Sequence, residues 1–252
     1  MSAYDAAAQA WAGGPAEVYA RFAAAMLEHS PVPLTGVTVL DVGAGTAVAC
    51  DAAVAAGAHR AVATDVAEQM LRRRTRSTPA VLADAARLPF GDGTFDLVMG
   101  GFCLGHLPDP GAALTEWRRV GAAMVATAFV SGPPHPVKTA VDEAAARFGF
   151  VSPPWYERLK NELEPQVEDP ELLASLARSA GHREIAVTQL TVDTGLRTSA
   201  KIVSWRWGMA HLAPFVDGLA APRRAEARRA AEDAVAGLGP VLVDIQVLSA
   251  VV

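Results

Sequence analysis

The chain is expected to fold as an α/β protein, a doubly wound and mostly parallel sheet with helical lid insertions. Three observations predict this: short apolar runs alternate with helix-forming stretches, a glycine turn directly follows the first of those runs, and acidic residues end successive runs. A sheet of this kind gathers its ligands at the carboxyl ends of its strands, so the turn and the acids mark where function belongs.

The elements follow in order. After Gly13-Gly14-Pro15, residues 16–28 read as a helix with Val18, Tyr19, Phe22 and Met26 on an apolar face, ended by Pro31 and Pro33. Strands are expected at 37–42, 61–65, 81–83, 95–100 and 122–130, with helices at 47–56, 67–74 and 111–120 between them. Beyond Ser131 the rhythm changes to a proline-rich loop, Gly132 to Pro136, and helices near 137–148, 155–161 and 170–180. A strand at 184–192, helices around 199–211 and 223–237, and a last strand at 241–251 complete the chain. The expected organisation is a helical cover (1–33), a cofactor-binding core (34–131), a helical lid that holds substrate (132–183), and returning strands (184–252) with a second helical insertion at about 194–239.

With 252 residues and 51% hydrophobic composition the chain can bury a large core. Its net charge of −5 gives nucleic-acid binding no support. The arginine groups Arg72, Arg73, Arg74, Arg76 and Arg223, Arg224, Arg228, Arg229 read as solvated helix faces. Lysine is confined to Lys138, Lys160 and Lys201, and this Arg-over-Lys, Ala-rich usage suits a GC-rich bacterial genome. Cys50 and Cys103 lack a metal-like spacing and read as structural thiols. No leader pattern opens the chain and no apolar stretch reaches ~20 residues. A cytoplasmic protein with no membrane partner is expected, as a monomer or homodimer.

The turn is Val39-Leu40-Asp41-Val42-Gly43-Ala44-Gly45-Thr46-Ala47. A dinucleotide fingerprint would need a third glycine where Val48 stands, and Asp41 would repel a pyrophosphate. An acid there suits a cationic, amino-acid-bearing ligand. Twenty residues after Gly45, Asp65 ends the second strand, where a carboxylate can accept from ribose hydroxyls or cap the next helix. Asp84 follows the third strand in Asp84-Ala85-Ala86-Arg87-Leu88-Pro89-Phe90, ahead of Phe95-Asp96. Phe90 and Phe95 fall in the apolar pattern and read as core.

These motifs resemble the class I S-adenosylmethionine-dependent methyltransferases, in the small-molecule branch that includes the ubiquinone and menaquinone type. Ala47 stands at the last glycine of their first motif. The resemblance implies a Rossmann-like sheet with an antiparallel last strand, and S-adenosylmethionine as cofactor with S-adenosylhomocysteine as product. It implies a cofactor site of Asp41, Gly43, Ala44, Gly45, Asp65, Val66, Met70, Asp84, Ala85, Gly101, Phe102 and His106, with Leu88 or Met70 against the base. After Arg118-Arg119-Val120 the family's proline-glycine turn is absent and Gly121 alone precedes the fifth strand, a departure expected to shift surface geometry only.

For the acceptor, His106 and His135 are the candidate general bases, since an imidazole titrates near neutrality. Tyr19, Phe102, His135, Trp155, Tyr156, Trp205 and His211 are candidate substrate contacts, for a small, partly hydrophobic molecule of secondary or quinone-like metabolism. Trp205 and Trp207 cannot share a helix face, so one of them at most reaches the site. Oxygen is the first expected acceptor atom, then carbon, then nitrogen. No metal is expected, since the loop 131–136 offers no carboxylate. Two alternatives remain open at this point: a methyltransferase-fold enzyme using the cofactor for another reaction such as cyclisation, and a noncatalytic binding subunit.

Overall fold

The computed structural model describes residues 3–75 and 77–252; of the arginines named above, Arg76 lies outside them. Seven strands form one sheet in the order β3-β2-β1-β4-β5-β7-β6. They are β1 (Thr38–Val42), β2 (Arg60–Asp65), β3 (Ala80–Leu82), β4 (Phe95–Gly101), β5 (Gly121–Phe129), β6 (Arg183–Asp193) and β7 (Leu242–Val251). The first five run parallel, and β7 lies antiparallel between β5 and β6. The expected fold class is observed, antiparallel last strand included.

Side chains alternate across the sheet. Val39, Leu97, Met99, Val125, Ile245 and Val247 enter one core layer, and Leu40, Val42, Val98, Met124, Leu248 and Ala250 enter the other. The first layer is covered by α2 (Pro15–Leu27), α3 (Val48–Ala55), α6 (Pro136–Ala146), α9 (Ser199–Trp207) and α11 (Ala221–Ala234). The second is covered by α5 (Pro110–Val120) and α8 (Pro170–Ser179), where Trp117, Leu114, Leu173 and Ala177 pack on Leu248.

The position of α8 differs from the expected boundary of a lid at 132–183. Its Leu173 and Ala177, one helical turn apart, give it a narrow apolar stripe that docks beside α5, so it belongs to the sheet's own covering layer. The lid proper is the stretch before it. There α7 (Pro154–Arg158) passes into a π-helical turn at Leu159–Leu163 and a 3-10 turn at Glu164–Gln166. Pro165 has no N–H to continue an α-helical ladder, which accounts for the broken end of the expected 155–161 helix.

Other boundaries move for local reasons. The 67–74 helix shortens to α4 (Glu68–Leu71), because Arg74 turns back to donate to the carbonyls of Leu71 and Thr78. The 199–211 helix stops at Trp207 and is followed by α10 (Ala213–Gly218). Gly208 intervenes, and a Cβ on it would sit 2.3 Å from the Pro15 ring, so the close approach of α9 to α2 sets that break. The helical cover resolves into α1 (Ala3–Ala12) and α2, separated by Gly13 and Gly14. Gly121 opens β5 directly after α5, with its Cα close against Val98 where a side chain would not fit. No helix is long and apolar enough to cross a membrane among the described residues.

Candidate functional site

The carboxyl ends of β1, β2 and β3 and the loop after β4 surround one cavity of about 510 Å³. Its floor is the turn after β1, where Gly43 and Gly45 take φ values of +70° and +54°. A Cβ on Gly43 would lie 2.7 Å from the Cys103 sulfur, so only glycine lets this turn pass beneath the β4 loop. Ala47, fully buried at the N-cap of α3, also sits in the left-handed region at φ +62°. An alanine here therefore holds a backbone conformation that glycine adopts more readily.

Asp41 is 1% exposed and accepts a hydrogen bond from the Cys50 thiol at 3.4 Å. Burial pushes its carboxyl up to about 7, and no cation among the described residues offsets that burial. Asp65 fixes the loop from the next strand. Its Oδ2 accepts from the Gly45 amide and its Oδ1 from the Ala67 amide, both at 2.7 Å, so it shapes the glycine turn and starts α4 together. Burial raises its pKa against the pull of those amides. Asp84, exposed after β3, accepts from the Ala86 amide at 2.9 Å.

All twelve residues assigned to the cofactor line this cavity: Asp41, Gly43, Ala44, Gly45, Asp65, Val66, Met70, Asp84, Ala85, Gly101, Phe102 and His106. Met70 takes the wall that was open between it and Leu88. Leu88 is buried in the core beneath and does not line the cavity. The lining fits an adenosylated amino acid. Among the described residues, a buried carboxyl without a cation stands beside the glycine turn and the buried Thr46 hydroxyl has no partner, and two more acids follow at the end of β2 and just past β3.

His106 ends a 3-10 turn at Leu104–His106, and its Nε2 lies 3.3 Å from the Tyr4 hydroxyl. Burial holds the imidazole below its usual pKa, hence neutral and able to take a proton. Tyr4 also packs edge-on to His106 and to Trp11, while Phe102 stacks on Phe129 at 4.4 Å.

Beyond this aromatic wall lies a second, smaller chamber of about 50 Å³. Tyr156, Trp205 and His211 line it and do not reach the larger cavity, whereas Tyr19 and Trp155 border both. His211 stacks face to face on Tyr156 at 3.8 Å, and burial holds its pKa at about 2. Trp207 lies outside the chamber, beneath the Arg228 guanidinium. Arg206, between the two tryptophans, is buried and donates to Asp142 at 2.8 Å.

His135 does not join the site. Its Nδ1 accepts from the Val137 amide at 3.2 Å as the cap of α6, its Nε2 meets the Leu242 carbonyl at 2.9 Å, and it lines neither cavity. Both ring nitrogens are taken by backbone, so the base and substrate roles expected for it are corrected to a capping role. The arginine groups also serve structure: Arg72 pairs with Glu68, and Arg224 and Arg228 donate to backbone carbonyls.

Tyr4, Trp11 and Lys138 were not singled out from the sequence. Tyr4 and Trp11 are seven apart on α1 and so share a face, a signal hidden in an alanine-rich stretch. Lys138 carried no motif. Among the described residues no group of three or more His, Cys, Asp and Glu side chains is placed to hold a metal ion.

Residues 40–123 match the family model described as a methyltransferase domain. Over 191 residues the chain is 34% identical to the demethylmenaquinone methyltransferase of Clavibacter sepedonicus, which covers 67% of this chain and 77% of that one. The fold is similar to that of an Anabaena variabilis protein described as a methyltransferase from an antibiotic biosynthesis pathway, with a TM-score of 0.64 at 13% identity over 92% of this chain and 97% of the other. It is also similar to the cyclase SpnF, with a TM-score of 0.54 at 20% identity over 92% and 80% of the two chains. These two structural likenesses concern the fold alone, which evidently serves more than one chemistry.

Proposed function

Because the chain belongs to the class I S-adenosylmethionine-dependent methyltransferases, we propose that it methylates a small, partly hydrophobic molecule of quinone-like or secondary metabolism, with oxygen as the acceptor atom. The observation that carries this reading is the shape of the larger cavity: three strand-end acids and a glycine turn on one side, and the rings of Tyr4, Trp11, Tyr19, Phe22 and Phe102 on the other. The acidic side suits a polar, positively charged nucleoside, and the ring-lined side suits a flat apolar acceptor.

Bound S-adenosylmethionine supplies a methyl group on a positively charged sulfur. In this reading Asp65 receives the ribose hydroxyls, Asp84 and the Ala85 backbone receive the adenine edge, and Asp41 with Thr46 holds the amino-acid end. The aromatic wall orients the acceptor and excludes water, which converts a bimolecular encounter into a displacement between aligned partners. His106 takes the acceptor's proton, since it is neutral, borders both cavities, and is steadied by the Tyr4 hydroxyl.

Calorimetric titration with S-adenosylmethionine and S-adenosylhomocysteine, followed by acceptor screening with mass detection, tests the proposal. We expect micromolar binding that Asp65→Ala abolishes, and products heavier by one methyl group with release of S-adenosylhomocysteine. Cofactor binding with an isomerised, unmethylated product would replace the reading with rearrangement chemistry. Absence of binding to either nucleoside would leave a noncatalytic role.

A further inference from the structure

The smaller chamber holds more positive charge than its carboxylates balance. Arg206 is paired with Asp142, and Lys160 is paired with Glu164 one helical turn on. Lys138, reaching in from α6, forms no ion pair or hydrogen bond among the described residues. Its ammonium rests instead over the Phe129 ring at 4.7 Å and faces the Trp205 ring at 5.9 Å. Two polar atoms, His211 Nε2 and Trp205 Nε1, are buried there without partners among the described residues. An indole N–H can only donate, and so can an ammonium.

An ammonium in such a place is expensive to keep. Burial, then the neighbouring Arg206 and Lys160, draw its pKa down to about 8, against the opposing pull of Glu164 and Asp142. Cation-π contact with Phe129 recovers only part of that cost. Lys138, mostly buried, and the fully buried Trp205 Nε1 are thus donors with no acceptor partner among the described residues, as in a site for an anion before the anion arrives.

The chamber lies next to the reaction region. Tyr4, Tyr19, Phe22, His106, Trp155 and Leu159 border both cavities, and Phe129, under Lys138, stacks on Phe102 in the cofactor cavity. At about 50 Å³ it has room for a small polar group and none for a ring system. We infer that this chamber is an acceptor subsite in which Lys138, assisted by Trp205 Nε1, binds an anionic oxygen group of the methyl acceptor while the acceptor's ring lies along the aromatic wall.

The subsite rests on the methyl-transfer reading and narrows the substrate class to acidic molecules, aromatic or polyene carboxylates and ionised enols or phenols. Its anionic oxygen anchors the molecule, and the methylated atom is a different one, nearer His106.

Benzoate and its neutral isostere benzamide, titrated into protein saturated with S-adenosylhomocysteine, test the inference. Benzoate should bind at least about tenfold more tightly than benzamide, since a bond to a charged partner carries that much discrimination. Lys138→Met should remove this preference while leaving affinity for S-adenosylhomocysteine within about threefold of the parent, as expected for a group outside the nucleoside cavity. The same variant should melt at a higher temperature, because it deletes an unpaired buried cation; a lysine serving structure would instead lower it. Lys138→Gln repeats both measurements with a side chain that retains a donor, and should hold benzoate with intermediate affinity. Equal affinity for benzoate and benzamide, or benzoate binding unaffected by Lys138→Met, overturns the subsite while cofactor binding stands. Failure of the parent protein to bind S-adenosylhomocysteine overturns the methyl-transfer reading and the subsite with it.

Discussion

The two cavities are built from opposite materials. The larger is floored by strand ends and tight turns and carries buried or half-buried acids, Asp41 and Asp65. The smaller is walled largely by inserted helices and carries three cations, Lys138, Lys160 and Arg206, against one lining carboxylate, Glu164. Acids at strand ends suit a cationic nucleoside, while cations in an insertion suit an acidic acceptor. Between them stands a neutral aromatic partition in which His106 is the only imidazole bordering both sides among the described residues. In the proposed reaction, opposite charges thus bracket the place where the acceptor would lose its proton.

Replacing that partition's base gives the largest expected effect. His106→Gln should lower kcat by about 100- to 1000-fold, within the range for loss of a positioned base. Burial lowers the imidazole pKa, so the neutral form persists to lower pH than for a free histidine. The parent rate should therefore be level above the ordinary histidine pKa and fall as pH drops through the depressed one. A His106→Gln enzyme that keeps the parent rate and pH profile would make the partition a wall without chemistry.

The lining of the larger cavity was legible in the sequence because its geometry is local. Asp41-Val42-Gly43-Ala44-Gly45 is a strand end and turn within five residues, Asp65 ends the next strand, and Asp84 follows the one after it by two residues. Period-2 alternation and glycine punctuation encode such features directly. The acceptor side depends on contacts distant in sequence. Tyr4 meets His106 across 102 residues, and His135 spends its ring on a carbonyl 107 residues away. No local pattern distinguishes a histidine that caps a helix from one that faces a cavity. Lys138 stood in a helix whose cavity-facing side emerges only when α9 and the π-helical turn pack around it.

Asp41 offers a sharper test of the acidic side, with a smaller effect on affinity and an opposite one on stability. Its folded pKa of about 7 lies above the ordinary 3.8, so between those values the folded carboxyl keeps a proton that the unfolded one releases. The resulting destabilisation is absent below the lower value and complete above the upper. Asp41→Asn should therefore stabilise the protein by roughly 4 kcal/mol near pH 8 and by little near pH 4. It should also weaken S-adenosylhomocysteine by roughly thirtyfold, as expected when a buried charge loses its partner. Denaturant melts at the two pH values check the first part and calorimetry the second. A variant less stable at pH 8 would show that Asp41 is held by the fold for packing, and the contrast between the chambers would lose its electrostatic basis.

Ala47 tests whether the acidic side needs its glycine. An L-residue in the left-handed region costs about 1–2 kcal/mol, which Ala47→Gly would relieve. Against that gain stand two losses. The extra freedom of glycine in the unfolded chain costs about 0.5–1 kcal/mol, and removing a fully buried methyl costs about 0.8 kcal/mol. The three terms nearly cancel, so Ala47→Gly should change unfolding free energy by less than about 1 kcal/mol and leave S-adenosylhomocysteine affinity essentially unchanged. That balance explains how an alanine occupies a position where the related family places glycine: the methyl's contacts with the core offset the strain of its backbone. Ala47→Val keeps the strain and adds β-branching in a space with no exposure, so it should be clearly destabilising. Large stabilisation by glycine in a denaturant melt, beyond about 2 kcal/mol, would mean that the methyl makes no useful contact, and that the turn is held under strain by the strands on either side of it.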